Sequence, residues 1–145
     1  MLVPPLPVNK ALPLKVWDVN GAELFLSKTY FRDALGIFIV YDVTHRASFD
    51  NLSRWMLDIT KFGMDNATVM LIAHKTDLKH NRTVSYDEGK TIADRYGYLY
   101  AETSEKELDT TKAALVSSLN ISASKSKPAG SQTCPVSLNG INDFA

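Results

Sequence analysis

This sequence predicts an α/β domain, a mainly parallel sheet with helices on both faces. Three observations carry the prediction. Short apolar runs alternate with longer amphipathic stretches four times along the chain, and that alternation implies right-handed crossovers between parallel strands. The run LGIFIVYDV, residues 35–43, is apolar almost without interruption, as a parallel strand covered on both faces has to be. A hydrophobic content of 45% against 22% charged residues, in a chain of 145 residues, is enough for one buried core and one domain.

The elements follow in order. Residues 1–13 carry Pro4, Pro5 and Pro7 and read as an irregular segment. Leu14–Val19 is a strand, and a helix is expected over roughly Glu23–Ala34. Leu35–Val43 is the second strand. Phe49, Leu52, Met56 and Ile59 then recur at helical spacing between polar neighbours. ATVMLIA, Ala67–Ala73, is a third strand. Ser85 and Glu88 have the spacing of a capping box, opening a helix that runs to Tyr96 and stops at Gly97. Tyr98–Thr103 is a fourth strand and Leu108–Leu119 a last helix. From about Ser122 the chain is rich in Ser, Pro and Gly, so 122–145 reads as a flexible tail.

Bulk composition narrows the function. Sixteen basic and sixteen acidic residues balance, which gives no basic surplus for nucleic acid. A single Cys134 excludes an internal disulfide framework and a Cys-rich zinc site, and fits a reducing intracellular setting. His45, His74 and His80 form no i,i+4 metal pair. No apolar run is long enough for a transmembrane segment. Trp17 and Trp55 read as core packing.

The residues that follow each strand carry the functional signal. In open parallel sheets, ligands sit beyond the carboxyl ends of the strands. Asp18 and Gly21 follow the first strand, and Asp42 and Thr44 the second. His74, Lys75 and Asp77 follow the third, and Glu102, Thr103 and Ser104 the fourth. Asp42 itself reads as a structural residue at a strand end rather than a ligand.

These stretches bring a family into view. KVWDVNGAELF is similar to the WDTAGQE stretch of the Ras-superfamily small GTPases, and LGIFIVYDVTHRASFDNLSRW resembles their Rab branch. MLIAHKTDL corresponds to the guanine-reading NKxD loop, and AETSEK to the SAK loop. The resemblance covers about Leu14 to Leu119. It implies a Ras-like P-loop NTPase domain over 14–121, a GTP/GDP and Mg²⁺ ligand set, and a switch function in vesicle-mediated transport through Rab-type effectors and regulators.

The resemblance also assigns residues. Asp18 would hold Mg²⁺ through water, and the Gly21 amide would meet a γ-phosphate. Asp77 would accept two N–H donors from guanine, which an acceptor-only carboxylate suits. Lys75 would lie along the base. Ser104 and its neighbours Thr103, Glu105 and Lys106 would complete the base loop, with His74 at the asparagine position of NKxD.

Several positions depart from the family pattern. Ala22 stands where the family has its water-orienting glutamine, a requirement for which Ras proteins are the standard example, so no catalytic residue is assigned. His74 cannot present an amide's donor and acceptor together, and Glu105 sets a carboxylate where the SAK loop has alanine. No G-x-x-x-x-G-K-[ST] motif and no switch threonine ahead of Trp17 occur. The expectation is therefore an N-terminally incomplete domain with GTP binding and hydrolysis impaired. The alternatives are a nucleotide-free partner-binding module and a truncated gene product. The family's first strand lies between those matching Leu14–Val19 and Leu35–Val43, so its absence leaves two facing edges: either the two strands pair directly, the proline-bearing segment 1–12 substitutes, or the edges recruit a partner. The ending NGINDFA has no prenylation motif, which leaves a cytoplasmic protein, at most peripheral to endomembranes.

Overall fold

The structure is a computed structural model and describes residues 14–19, 31, 34–63, 65–106, 109, 112–114, 116–117 and 134–139. Its elements are β1 (Leu14–Val19), β2 (Gly36–Asp42), α1 (Arg46–Asp50), α2 (Leu52–Phe62), β3 (Thr68–His74), α3 (Tyr86–Tyr96), β4 (Leu99–Glu102) and β5 (Cys134–Asn139). The five strands form one sheet in the order β1-β5-β2-β3-β4. Every strand pair in it is parallel, as the strand–helix alternation requires.

Alternation along β2 builds two cores. Ile37, Ile39 and Tyr41 belong to the larger one, with Leu52, Trp55 and Met56 of α2. Phe38 and Val40 belong to the smaller, with Met70, Ile72 and Ala114. All seven residues of β2 are buried, so its unbroken apolar run answers to cover on both sides. Trp55 is buried, as expected of a core residue; Trp17 is half-buried.

Local signals place the helices. Ser85 and Glu88 form the capping box: the Ser85 hydroxyl accepts from the Glu88 N–H, and the Glu88 carboxylate accepts from the Ser85 N–H. Gly97 ends α3 in the left-handed region at φ 68°, which a glycine adopts without steric cost. The helical stretch around Phe49 divides at Asn51, into α1 and α2. Among the described residues no helix is long and apolar enough to cross a membrane.

Two expectations need correcting at β5. The tail assigned to 122–145 is a strand at Cys134–Asn139. The gap foreseen between the strands at 14–19 and 36–42 is closed by this strand, so their facing edges are paired and are not left to recruit a partner. Val136–Asn139 lies in register with both neighbours, and Cys134 and Pro135 with Leu14 and Lys15 alone. The closing strand comes from the far end of the chain, which no local pattern could signal. Most of the helix expected at 23–34, and the segment 1–13, lie outside the described residues. Described residues between 109 and 117 are helical, within the range expected for the last helix.

Candidate functional site

Because all five strands are parallel, their carboxyl ends point the same way, and the described loops after β2, β3 and β4 lie at that end of the sheet. β3 and β4 bring two of them together. Thr103 N–H donates to the Ala73 carbonyl at 2.8 Å, and Thr76 N–H and Oγ1 both donate to the Thr103 carbonyl at 3.3 and 3.1 Å. These bonds fix the segment 74–77 against 103–106.

Asp77 is the centre of this pair of loops. Its Oδ1 accepts from Ser104 Oγ at 2.9 Å, and its Oδ2 lies 3.0 Å from Lys106 Nζ. Ser104 is fully buried, and its Oγ also accepts from the Lys106 N–H at 3.1 Å. The hydrogen bonds from Lys106, then from Ser104, hold the Asp77 carboxyl below the usual carboxylate range. Asp77 is thus kept as an ionised acceptor, the form a base with two adjacent N–H donors needs. Two of its lone pairs are engaged, and each oxygen keeps further accepting capacity.

His74 stands beside this centre. Its Nδ1 is 3.1 Å from Thr103 Oγ1, and its Nε2 is 4.0 Å from the exposed Glu105 carboxylate. The histidine at the asparagine position therefore ties β3 to the loop after β4 through a ring nitrogen. Glu105 is turned toward that ring and stays solvent-exposed.

Lys75 takes a different course from the one its family position implies. It sits at φ 64°, a left-handed conformation uncommon for a side chain of its size. Its Nζ lies 2.7 Å from Asp42 Oδ2 at the end of the neighbouring strand. Asp42 is buried and its Oδ1 accepts from Thr44 N–H and Thr44 Oγ1, both at 2.7 Å. Burial opposes ionisation here, but the bonds from Lys75 and Thr44 prevail and hold the Asp42 carboxyl below its ordinary value. Asp42 is thus a structural strand-end residue, tied by a charged pair to the base loop. Sequence reasoning placed Asp42 as a structural strand-end residue but missed that tie, because nothing local signalled Lys75.

Asp18 lies apart from these groups. It is exposed, and it is in register with Leu138 of β5, which is in register with Phe38 of β2 and that in turn with Met70 of β3. Three strand spacings, roughly 14 Å, separate β1 from β3 across the sheet. Gly21 and Ala22 are outside the described residues. Among the described residues no three His, Cys, Asp or Glu side chains converge on a point. Magnesium is commonly held by one or two carboxylates together with phosphate oxygens, so Asp18 fits as one ligand of a phosphate-borne ion and not as a site by itself. Among the described residues, Asp77 with its partners Ser104 and Lys106 is the acceptor suited to a base's N–H donors, and Asp18 stands apart from it.

Comparison with known proteins identifies the family. A family model described as "Ras: Ras family" matches residues 7–122. The chain is 38% identical over 110 residues to the Ras-related protein RIC1 of rice, covering 74% of this chain and 54% of that protein. It is 37% identical over 134 residues to the Ras-related protein RABD2a of Arabidopsis thaliana, 88% of this chain and 64% of that one. It is 41% identical over 100 residues to the Ras-related protein Rab-2B of Dictyostelium discoideum, 68% of this chain and 50% of that one. The chain spans between half and just under two thirds of the length of these curated relatives. The parallel α/β sheet, the joined base loops and matches of this extent place the chain in the Ras family, within its Rab branch of small GTPases.

Proposed function

We propose that this chain is a Rab-type module that binds protein partners and does not hold guanine nucleotide tightly. Members of the Ras family generally use GTP or GDP with Mg²⁺, and the base-reading half of that equipment is present in Asp77, Ser104 and Lys106. The phosphate-holding half is what the reading denies. The observation that carries it is β5, which takes the place between β1 and β2.

Magnitudes decide the matter. A phosphate loop supplies backbone N–H groups, a lysine and a metal-bound hydroxyl, and charge-assisted bonds of this kind contribute roughly 1.5–3 kcal/mol each. Without about five of them, binding weakens by roughly 8–15 kcal/mol, or about six to eleven orders of magnitude at ~1.4 kcal/mol per tenfold. Base contacts from one carboxylate and one loop do not offset that.

In this reading the effector and regulator surfaces of a Rab survive while the switch does not. α1 and α2 present one such surface, on which Leu57 is 58% exposed. A cytoplasmic protein acting in vesicle-mediated transport, peripheral to endomembranes, is the setting this implies. Titration of the folded chain with GDP and Mg²⁺, followed by calorimetry, tests it. The reading predicts no saturation below about 1 mM; saturation in the micromolar range or tighter would overturn it.

A second reading is favoured by the pre-formed Asp77–Ser104 pair: an active switch whose phosphate-holding segment is supplied by an upstream exon or a partner chain. Sequencing the 5′ end of the transcript tests it. An upstream in-frame segment carrying the missing phosphate loop supports it, and an in-frame stop just ahead of Met1 counts against it.

A further inference from the structure

The strand order has a mechanical consequence. Among the described residues, β1 is hydrogen-bonded to β5 and to no other strand, whereas β2 is bonded to both β5 and β3. Leu14–Val19 therefore belongs to the sheet only through Cys134–Asn139. The two strands are direct neighbours in the sheet, and nearly the whole domain lies between them in sequence.

The fastening strand is a weak one. Pro135 has no N–H to give to a ladder. Ser137 and Asn139 are poor strand formers, and Asn139 is depleted in strands generally. Only Val136–Asn139, four residues, lies in register on both sides. A two-stranded ribbon by itself is at best marginally stable in water. β2 and β3, by contrast, pair over seven residues and are buried almost throughout. The sheet thus divides into a firm part, β2-β3-β4, and a lighter part, β1-β5.

We propose that Cys134–Asn139 is a releasable latch: when it leaves the sheet, β1 and its Asp18 leave with it, while the base loops after β3 and β4 stay in place. The two sides of the candidate site are then coupled through the C-terminal segment. Whatever engages residues 134–139 controls whether β1 and Asp18 are held in the sheet. The latch stands on strand order alone and does not depend on whether nucleotide binds.

Native-state hydrogen exchange of the full chain tests this. The latch predicts that 14–19 and 134–139 open together, with opening constants within about threefold of each other and at least about tenfold larger than those of 36–42 and 68–74. In Ser137→Pro, which removes an interior N–H, 14–19 should lose protection alongside 134–139 while 68–74 keeps it to within about threefold. Retained protection at 14–19 in that variant would overturn the proposal. So would, in the unmodified chain, a single opening common to all strands or an opening of 134–139 that leaves 14–19 closed. Should Ser137→Pro fail to fold, the exchange pattern of the unmodified chain decides alone.

Discussion

Lys75 Nζ lies 2.7 Å from the buried carboxylate of Asp42, joining the ends of two adjacent strands through a residue in the left-handed conformation. The pair sets the start of the base loop, because Lys75 immediately follows β3 and Asp77 is two residues on. Removing the carboxylate takes the Oδ1 acceptor from Thr44 and breaks the ion pair between Asp42 and Lys75. Asp42→Ala should therefore destabilise the fold by about 1–3 kcal/mol, measured by urea unfolding. A loss within a few tenths of a kilocalorie would show that the pair is dispensable.

Asp42 also gives a pH prediction. Its pKa in the fold is lowered from the ordinary 3.8, so its contribution is complete above that value and is lost as pH falls through the depressed one. Glu88 acts in the same sense. The Ser85 backbone N–H, then the Arg46 side chain, hold it at about 2 against an ordinary 4.5. Stability should fall as pH drops from 4.5 toward 2, and Glu88→Gln should flatten that part of the curve. An unchanged slope in the variant would remove Glu88 from the account.

The Asp77 carboxyl is held low first by Lys106 and next by Ser104. Lys106→Met should raise the Asp77 pKa toward its ordinary value, followed by carbon-detected NMR titration. Added salt should do the same more weakly, since the Lys106 side chain is 74% exposed and open to screening. A pKa that does not move in the variant would mean that Ser104 alone sets it.

Gly89 packs beneath two tyrosines. A methyl group there would run into the hydroxyls of Tyr41 and Tyr100. Tyr41 is fully buried, and its hydroxyl lies 3.3 Å from that of Tyr100, which donates to Glu102 at 3.2 Å. Glu102 is in turn ion-paired with Arg82. Helix propensity favours alanine by about 1 kcal/mol, but overpacking of this kind costs about 1–3 kcal/mol. Gly89→Ala should thus be neutral to net destabilising, by about 0–2 kcal/mol, on thermal or chemical unfolding. A more stable variant would show that the tyrosines yield.

What could be read from the sequence follows from how local each signal is. Ser85, Glu88 and Gly97 act within one turn of α3, and their roles were plain from spacing. The run at 35–43 declared its burial because both its faces need apolar side chains. The order of the loops carrying Asp77 and Ser104 was equally legible, since each follows a strand. β5 was not legible. Cys134, Val136 and Leu138 do alternate with Pro135, Ser137 and Asn139, but the run is short, contains a proline and sits in a Ser-, Pro- and Gly-rich stretch. The edges that β5 joins lie about a hundred residues away. The partner of Lys75 was hidden for the same reason: Asp42 lies on another strand, and register alone brings the two together.

The central claim is that the chain keeps a base-reading pair of loops without the means to hold phosphate. It is tested most directly by denaturing the purified, folded protein and measuring the guanine nucleotide released per chain. The account predicts none from a sample whose circular dichroism shows the α/β fold. A full equivalent of GDP or GTP per chain would contradict it, because phosphate would then be held by residues to which this account gives no such role.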